Sequence, residues 1–337
     1  MPLLQTTDTL VDEVRSLTNE LNQDALQAER DIIPALNRAQ EHMLAILARH
    51  YPEPYLVAHS FDVVSTRTNY SIPEDAWSDQ VTKVEMIEPG QQYRYEVQRA
   101  KYRDLTKFRS GSRPNVPAYY SIIGRDIELV PQPSGTYDGI MWYIRAPERL
   151  VLQQGRITFV SAADNRIKVD SIGDNLSTET DALESWVNIV DGQTGEIKAT
   201  CQIKSTSGTQ DITFKSNISA NLLTADGTIL NRTPTTSLSS ITDDNGNLAI
   251  HPNDYICSIK GICVPYFFQP ARNFVVNYAA ADCGRAIGVP SDKMYQLSEK
   301  FEKEIKDTWT GREASLRVKN KSPHWSLQRR PGSYRRT

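Results

Sequence analysis

The residues of this chain that could do chemistry are few and scattered. The five histidines, His42, His50, His59, His251 and His324, are dispersed, and none stands beside a second ligand at metal-binding spacing. Cys257 and Cys263 are separated by five residues, a spacing that matches no common zinc pattern and fits ordinary packing. Asp243-Asp244-x-Gly246 resembles the start of a calcium loop but lacks the later acidic ligands, so it reads as a plain turn. Glu128 and Glu148 could pair as acid and base, yet nothing selects them over the other carboxylates. A Gly-x-Ser-x-Gly elbow, a Walker-type phosphate loop and a strand-borne Gly-x-Gly-x-x-Gly are all missing. The expectation is a non-enzymatic protein with no catalytic residues, no metal and no cofactor.

The informative charge lies at the C-terminus. From Arg312 to Thr337 run Arg312, Arg317, Lys319, Lys321, Arg329, Arg330, Arg335 and Arg336, with Glu313 as the one acid and Trp325 and Tyr334 interleaved. This tail takes 8 of the 38 basic and 1 of the 41 acidic residues, which leaves −10 on residues 1–311 and +7 on the tail. An acidic body with a basic, aromatic arm suits self-association or docking on an acidic partner surface. With so few aliphatics the arm is expected to stay extended until something binds it.

The elements that carry the arm follow from periodicity. Residues 8–22 read as a short amphipathic helix, and about 24–51 as a longer one with Ile33, Leu36, Ala39, Met43, Ile46 and Leu47 on its apolar stripe. Pro34 either opens that helix or kinks one begun earlier. Short strands are expected at 56–64, 81–87, 93–99, 119–123, 126–130 and 140–144, with one helical turn near 102–108. From 155 to 261 strand-like runs alternate with Asp-Gly, Ser-Gly and Asn-Gly turns, the texture of an inserted antiparallel module with large polar loops. Two helices follow. The first carries Phe274, Val275, Tyr278, Ala281 and Ile287 as a single buried stripe and stops at Gly288-Val289-Pro290. The second, after Ser291, carries Met294, Leu297, Phe301, Ile305 and Trp309. The expected class is α+β: N- and C-terminal helices (1–54 and 262–311) form a small bundle, β-rich residues 55–154 and 155–261 are inserted, and 312–337 form an extended arm. The N-terminus lacks the pattern of a signal peptide and no apolar run is long enough to span a bilayer, so no membrane association is expected.

The stretches IIPALNRAQEHMLAILARHYP, VPAYYSIIGRDIELVPQPS, MWYIRAPERLV, FFQPARNFVVNYAA and WTGREASLRVKNKS, in this order, resemble head-to-tail connector (adaptor) proteins of tailed double-stranded DNA phages. The likeness covers roughly 24–152 and 255–325 and rests on order and texture. It implies a structural subunit, assembled in the host cytoplasm, that forms a ring of twelve copies at the head–tail junction of the virion. That ring would bind the portal protein above and tail or nozzle proteins below. DNA would pass through its channel without sequence-specific binding. The resemblance places the portal-binding arm on Arg312, Arg317, Lys319, Lys321, Trp325, Arg329, Arg330, Tyr334, Arg335 and Arg336. The large module at 155–261 is the departure from smaller adaptors. The alternative reading, a β-rich phage tail or carbohydrate-binding protein, would make that module the binding end, but Trp186 is its only tryptophan.

Overall fold

The computed structural model describes residues 6–319, apart from 20–24, 51–55, 66, 88–93, 109–115, 174–175, 177–184, 217–233, 244–245, 266–268 and 290. It is an α+β chain in which helices from both termini enclose one apolar core and the strands form two separate β units.

Helix α1, Thr7–Thr18, buries Leu10, Val11 and Val14. It stops at Asn19, which adopts the left-handed conformation common at helix ends. Helix α2 spans Ile33–His50 and is entered through a π turn, Ala28–Ile32, in which the Ile32 N–H donates to the Gln27 carbonyl. The helical path therefore begins ahead of Pro34, and the wider turn precedes the residue that has no N–H to donate.

The C-terminal helices are α4, Gln269–Ala286, and α5, Asp292–Lys319, numbered after a one-turn helix α3, Leu105–Phe108. Their connection uses Gly288 at φ +75°, with the Val289 N–H bonded back to the Gly284 carbonyl. The sequence suggests one buried stripe on α4. Instead Ala271, Phe274, Val275, Val276, Ala279, Ala280, Ala281 and Cys283 are all buried. This helix is the central one, in contact with α1, α2 and α5, and so needs apolar residues on most of its surface. Leu36, Met43, Phe274 and Ile305 lie buried in this core, and Tyr278 and Phe301 pack against it partly exposed.

The first β unit is a seven-stranded sheet. Its strands are β1 (Leu56–Val63), β2 (Asn69–Ser71), β3 (Ala76–Ile87), β4 (Arg94–Arg99), β5 (Tyr119–Ile123), β6 (Asp126–Val130) and β7 (Tyr137–Arg145), in the spatial order β1-β7-β3-β4-β5-β6-β2. Most neighbours pair antiparallel, but β4 and β5 pair in parallel, their connection crossing over by way of α3. Val63, Tyr70, Val84, Met86, Val97, Tyr120, Leu129, Met141 and Tyr143 form the core of this unit. The sheet curls until its two edge strands face each other. Phe61 of β1 and Tyr70 of β2 meet at 5.1 Å between ring centroids, and the Tyr70 hydroxyl donates to the Arg67 carbonyl at 2.9 Å.

The second unit is a closed six-stranded antiparallel barrel. It comprises β8 (Gln153–Ser161), β9 (Arg166–Val169), β10 (Trp186–Val190), β11 (Ile197–Ser207), β12 (Asp211–Phe214) and β13 (Tyr255–Ser258), in the order β10-β11-β12-β9-β8-β13. Ile157, Ile189, Cys201, Ile203, Ile212, Phe214 and Ile256 fill its interior. The chain enters and leaves the barrel side by side: Leu150 bridges Ile262, and the Ile262 N–H donates to the Arg149 carbonyl.

Candidate interaction surfaces

Polar contacts tie α1, α2 and α4 to one another and to the chain at the exits of the two β units. The Thr7 N–H and hydroxyl both donate to the Cys263 carbonyl, at 2.8 and 3.2 Å, which ties α1 to the segment leaving the barrel. Arg272 of α4 pairs with Glu13 of α1, and Arg38 of α2 with Asp282 of α4. Asn37 clamps the exit of the sheet by accepting from the Leu150 N–H and donating to the Leu150 carbonyl, while Gln40 donates to the Glu148 carbonyl.

Across the α2–α4–α5 surface runs a row of rings. The exposed His42 stacks on Tyr278 at 5.2 Å, Tyr278 meets Tyr295 edge-on at 6.1 Å, and the Arg285 guanidinium lies 4.8 Å over Tyr295. On the curled sheet, Glu85 gathers a second polar group. Its carboxylate accepts from Lys83 at 2.6 Å and from the Trp142 indole at 2.9 Å, with Arg94 at 3.8 Å. The Lys83 and Trp142 hydrogen bonds hold its carboxyl below the usual range. A third, at the barrel mouth, places Lys198 between Asp254 (2.8 Å) and Asp191 (2.7 Å), all three largely buried.

The cysteines and acids singled out in the sequence take structural places. Cys201, Cys257, Cys263 and Cys283 are buried free thiols; burial pushes Cys201 up to about 12 and Cys283 up to about 11. Cys201 and Cys283 therefore stay protonated and unreactive at neutral pH. Asp243 closes a tight turn, accepting the Asn247 N–H on its side chain. Glu128 lies within β6, whereas Glu148 pairs with Arg145 beyond the end of β7. Among the described residues no group of three or more His, Cys, Asp or Glu converges to hold a metal, and no helix is long and apolar enough to cross a membrane.

Of the residues assigned to the arm, Arg312, Arg317 and Lys319 fall in the C-terminal part of α5. Lys321, Trp325, Arg329, Arg330, Tyr334, Arg335 and Arg336 lie outside the described residues. The sequence reads as an extended arm from Arg312 onward, but residues 312–319 are helical. Gly311 does not break α5, because one glycine costs only about 1 kcal/mol and the good helix formers Arg312, Glu313, Ala314 and Leu316 follow it. Sequence reasoning misses the ring row and the Glu85 group, since each joins residues distant in the chain.

The family model described as SU10 adaptor protein matches residues 5–169. The matched stretch takes in α1, α2 and the whole curled sheet, and ends at the close of β9. No curated protein matches the chain. The resemblance to phage head-to-tail adaptors is borne out over that stretch.

Proposed function

We propose that this chain is a structural ring subunit of a phage neck, joining the portal of the DNA-filled head to the tail and continuing the DNA channel. The match of residues 5–169 to an adaptor family carries the reading. In the adaptor resemblance the ring has twelve copies and sits at the head–tail junction of the virion.

The helical core supports this role as a rigid mount for the arm. At about 1.5 Å per residue, the 28 residues of α5 outrun the 18 of α4 by roughly 15 Å, which carries the basic end beyond the core. Arg312, Arg317 and Lys319 ride on that helix, and Lys321, Trp325, Arg329, Arg330, Tyr334, Arg335 and Arg336 continue from it as the portal-binding arm. Exposed ion pairs are worth at most about 1 kcal/mol each, so no single Lys or Arg dominates. Repetition around a ring turns such weak arms into a lasting joint.

Pull-down of purified portal over a salt series tests the arm. Deleting 320–337 should abolish capture while leaving the helical signal unchanged, and Trp325→Ala should weaken capture more than any single Lys or Arg change. Binding by the intact chain should fall as salt rises. Equal capture by the truncated and full-length chains would show that the arm does not make the joint.

A further inference from the structure

The −10 carried by residues 1–311 hides a local reversal. Between Arg99 and Lys107 stand Arg99, Lys101, Arg103 and Lys107 against the single acid Asp104. This run is the crossover between the parallel strands β4 and β5. It is anchored from beneath: Leu105 is buried, Phe108 stacks on Tyr119 at 4.1 Å, and the Ala100 N–H donates to the Tyr120 carbonyl at 2.8 Å. Above that anchor Arg99, Lys101, Tyr102 and Arg103 are all exposed. Tyr102, at 65%, is the most exposed large apolar side chain among the described residues. Arg103 is 79% exposed and meets Asp104 only loosely, at 3.9 Å.

We propose that Arg99, Lys101, Tyr102 and Arg103 are the part of this chain that contacts the phosphate backbone of duplex DNA. The proposal rests on the reading that DNA passes through the assembled ring, and it identifies a wall-lining element of that channel. The charge of the patch complements DNA, whose protein interfaces are strongly positive and polar: it offers three exposed cations and one hydroxyl-bearing ring within five residues. Arg, Lys and Tyr are among the side chains that donate to phosphate oxygens without reading sequence. Arg99 ends β4 and the Ala100 N–H carries its ladder one residue further to the Tyr120 carbonyl, so Arg99 and Lys101 are set about 6.6 Å apart along the chain, a step suited to successive phosphates of one strand. Such a patch does not stall a sliding duplex: each phosphate that leaves a cation is replaced by the next, so attraction stays nearly constant along the path.

The test is fluorescence anisotropy of a short duplex titrated with the full chain over a salt series, comparing it with the variant Arg99→Gln/Lys101→Gln/Arg103→Gln. The slope of log affinity against log salt should become shallower by nearly three, at about 0.9 for each phosphate no longer neutralised. The same difference should persist when both proteins also lack 320–337, which removes any contribution of the tail. The triple variant should capture portal as well as the full chain does, which separates this site from the arm. An unchanged slope overturns the proposal. So does competition by polyglutamate as effective as that of duplex at equal charge, which would mark the patch as a seat for an acidic protein.

Discussion

The two β units face the same difficulty, unpaired strand edges, and resolve it differently. The barrel closes by backbone pairing: β13 bonds to both β8 and β10, so every strand has two neighbours. The curled sheet stops short. Its edges β1 and β2 are bridged by Phe61 and Tyr70 and by the Tyr70 hydroxyl rather than by a ladder. Their lengths explain this, since β1 has eight residues and β2 three. A closed barrel removes its own edges and can fold as an inserted unit, whereas a seam held by side chains depends on what packs around it.

Excision of the barrel should have the largest effect and is the most direct way to break this contrast. Replacing 158–252 with a short Gly/Ser bridge cuts β8 but leaves Gln153–Ile157 to pair with β13. The helical core would lose Val190 and Ile197, which pack into it from the barrel, and its stability should fall by about 2–5 kcal/mol. Helical circular dichroism and cooperative melting should survive. If they vanish, the barrel is integral to the helical core and the contrast between the units fails.

Much of this architecture is legible in the sequence. β5, β6 and β10 fall where short apolar, β-branched runs bounded by turns put them, β10 being buried at four of its five positions. The helical set Leu36, Met43, Phe274 and Ile305 does meet in one core, as periodicity at both termini implies. What stays hidden is long-range. β2 is too short to show a pattern, and β13 sits between turns, so neither the curl nor the closure is visible. The parallel β4–β5 pair is a property of chain path, not of composition. Of the candidate site, the sequence displays the basic tail, but a net charge summed over 311 residues conceals the cations from Arg99 to Lys107.

Two glycines sharpen the comparison at a smaller scale. A Cβ on Gly261 would collide with the Arg149 carbonyl oxygen, a backbone atom in the pinch where the chain enters and leaves the barrel. On Gly139 of β7 it would meet the ring of Phe61, whose far end can swing because Phe61 is only half-buried beside the seam. Gly261→Ala should therefore destabilise by about 2–3 kcal/mol. Gly139→Ala should cost at most about 1 kcal/mol, since alanine is also better suited than glycine to a strand. Urea melts of the two variants measure the difference; equal losses would mean that the seam is as rigid as the pinch.

The smallest effect concerns the outer face of the curled sheet and depends on pH. Glu85 accepts from Lys83 and from the Trp142 indole, and these hydrogen bonds lower its carboxyl from an ordinary value of 4.5. A carboxyl depressed in the folded state adds stability that is complete above its ordinary value and fades as pH falls through the folded one. Glu85→Gln keeps an acceptor for the Trp142 N–H but discards the charge facing Lys83. It should cost about 1 kcal/mol at neutral pH. At a pH below its depressed folded value the native carboxyl is itself protonated, and variant and wild type should converge. Urea melts of both proteins at neutral and strongly acidic pH give the comparison, with the Lys198 triad of the barrel as an internal reference. Asp191 there is pushed up by burial yet held low overall by Lys198 and the Gln193 and Thr194 N–H groups, so the barrel should weaken with acid in both proteins alike. A loss of the same size at both pH values would mean that shape, not charge, is what Glu85 contributes to the open sheet.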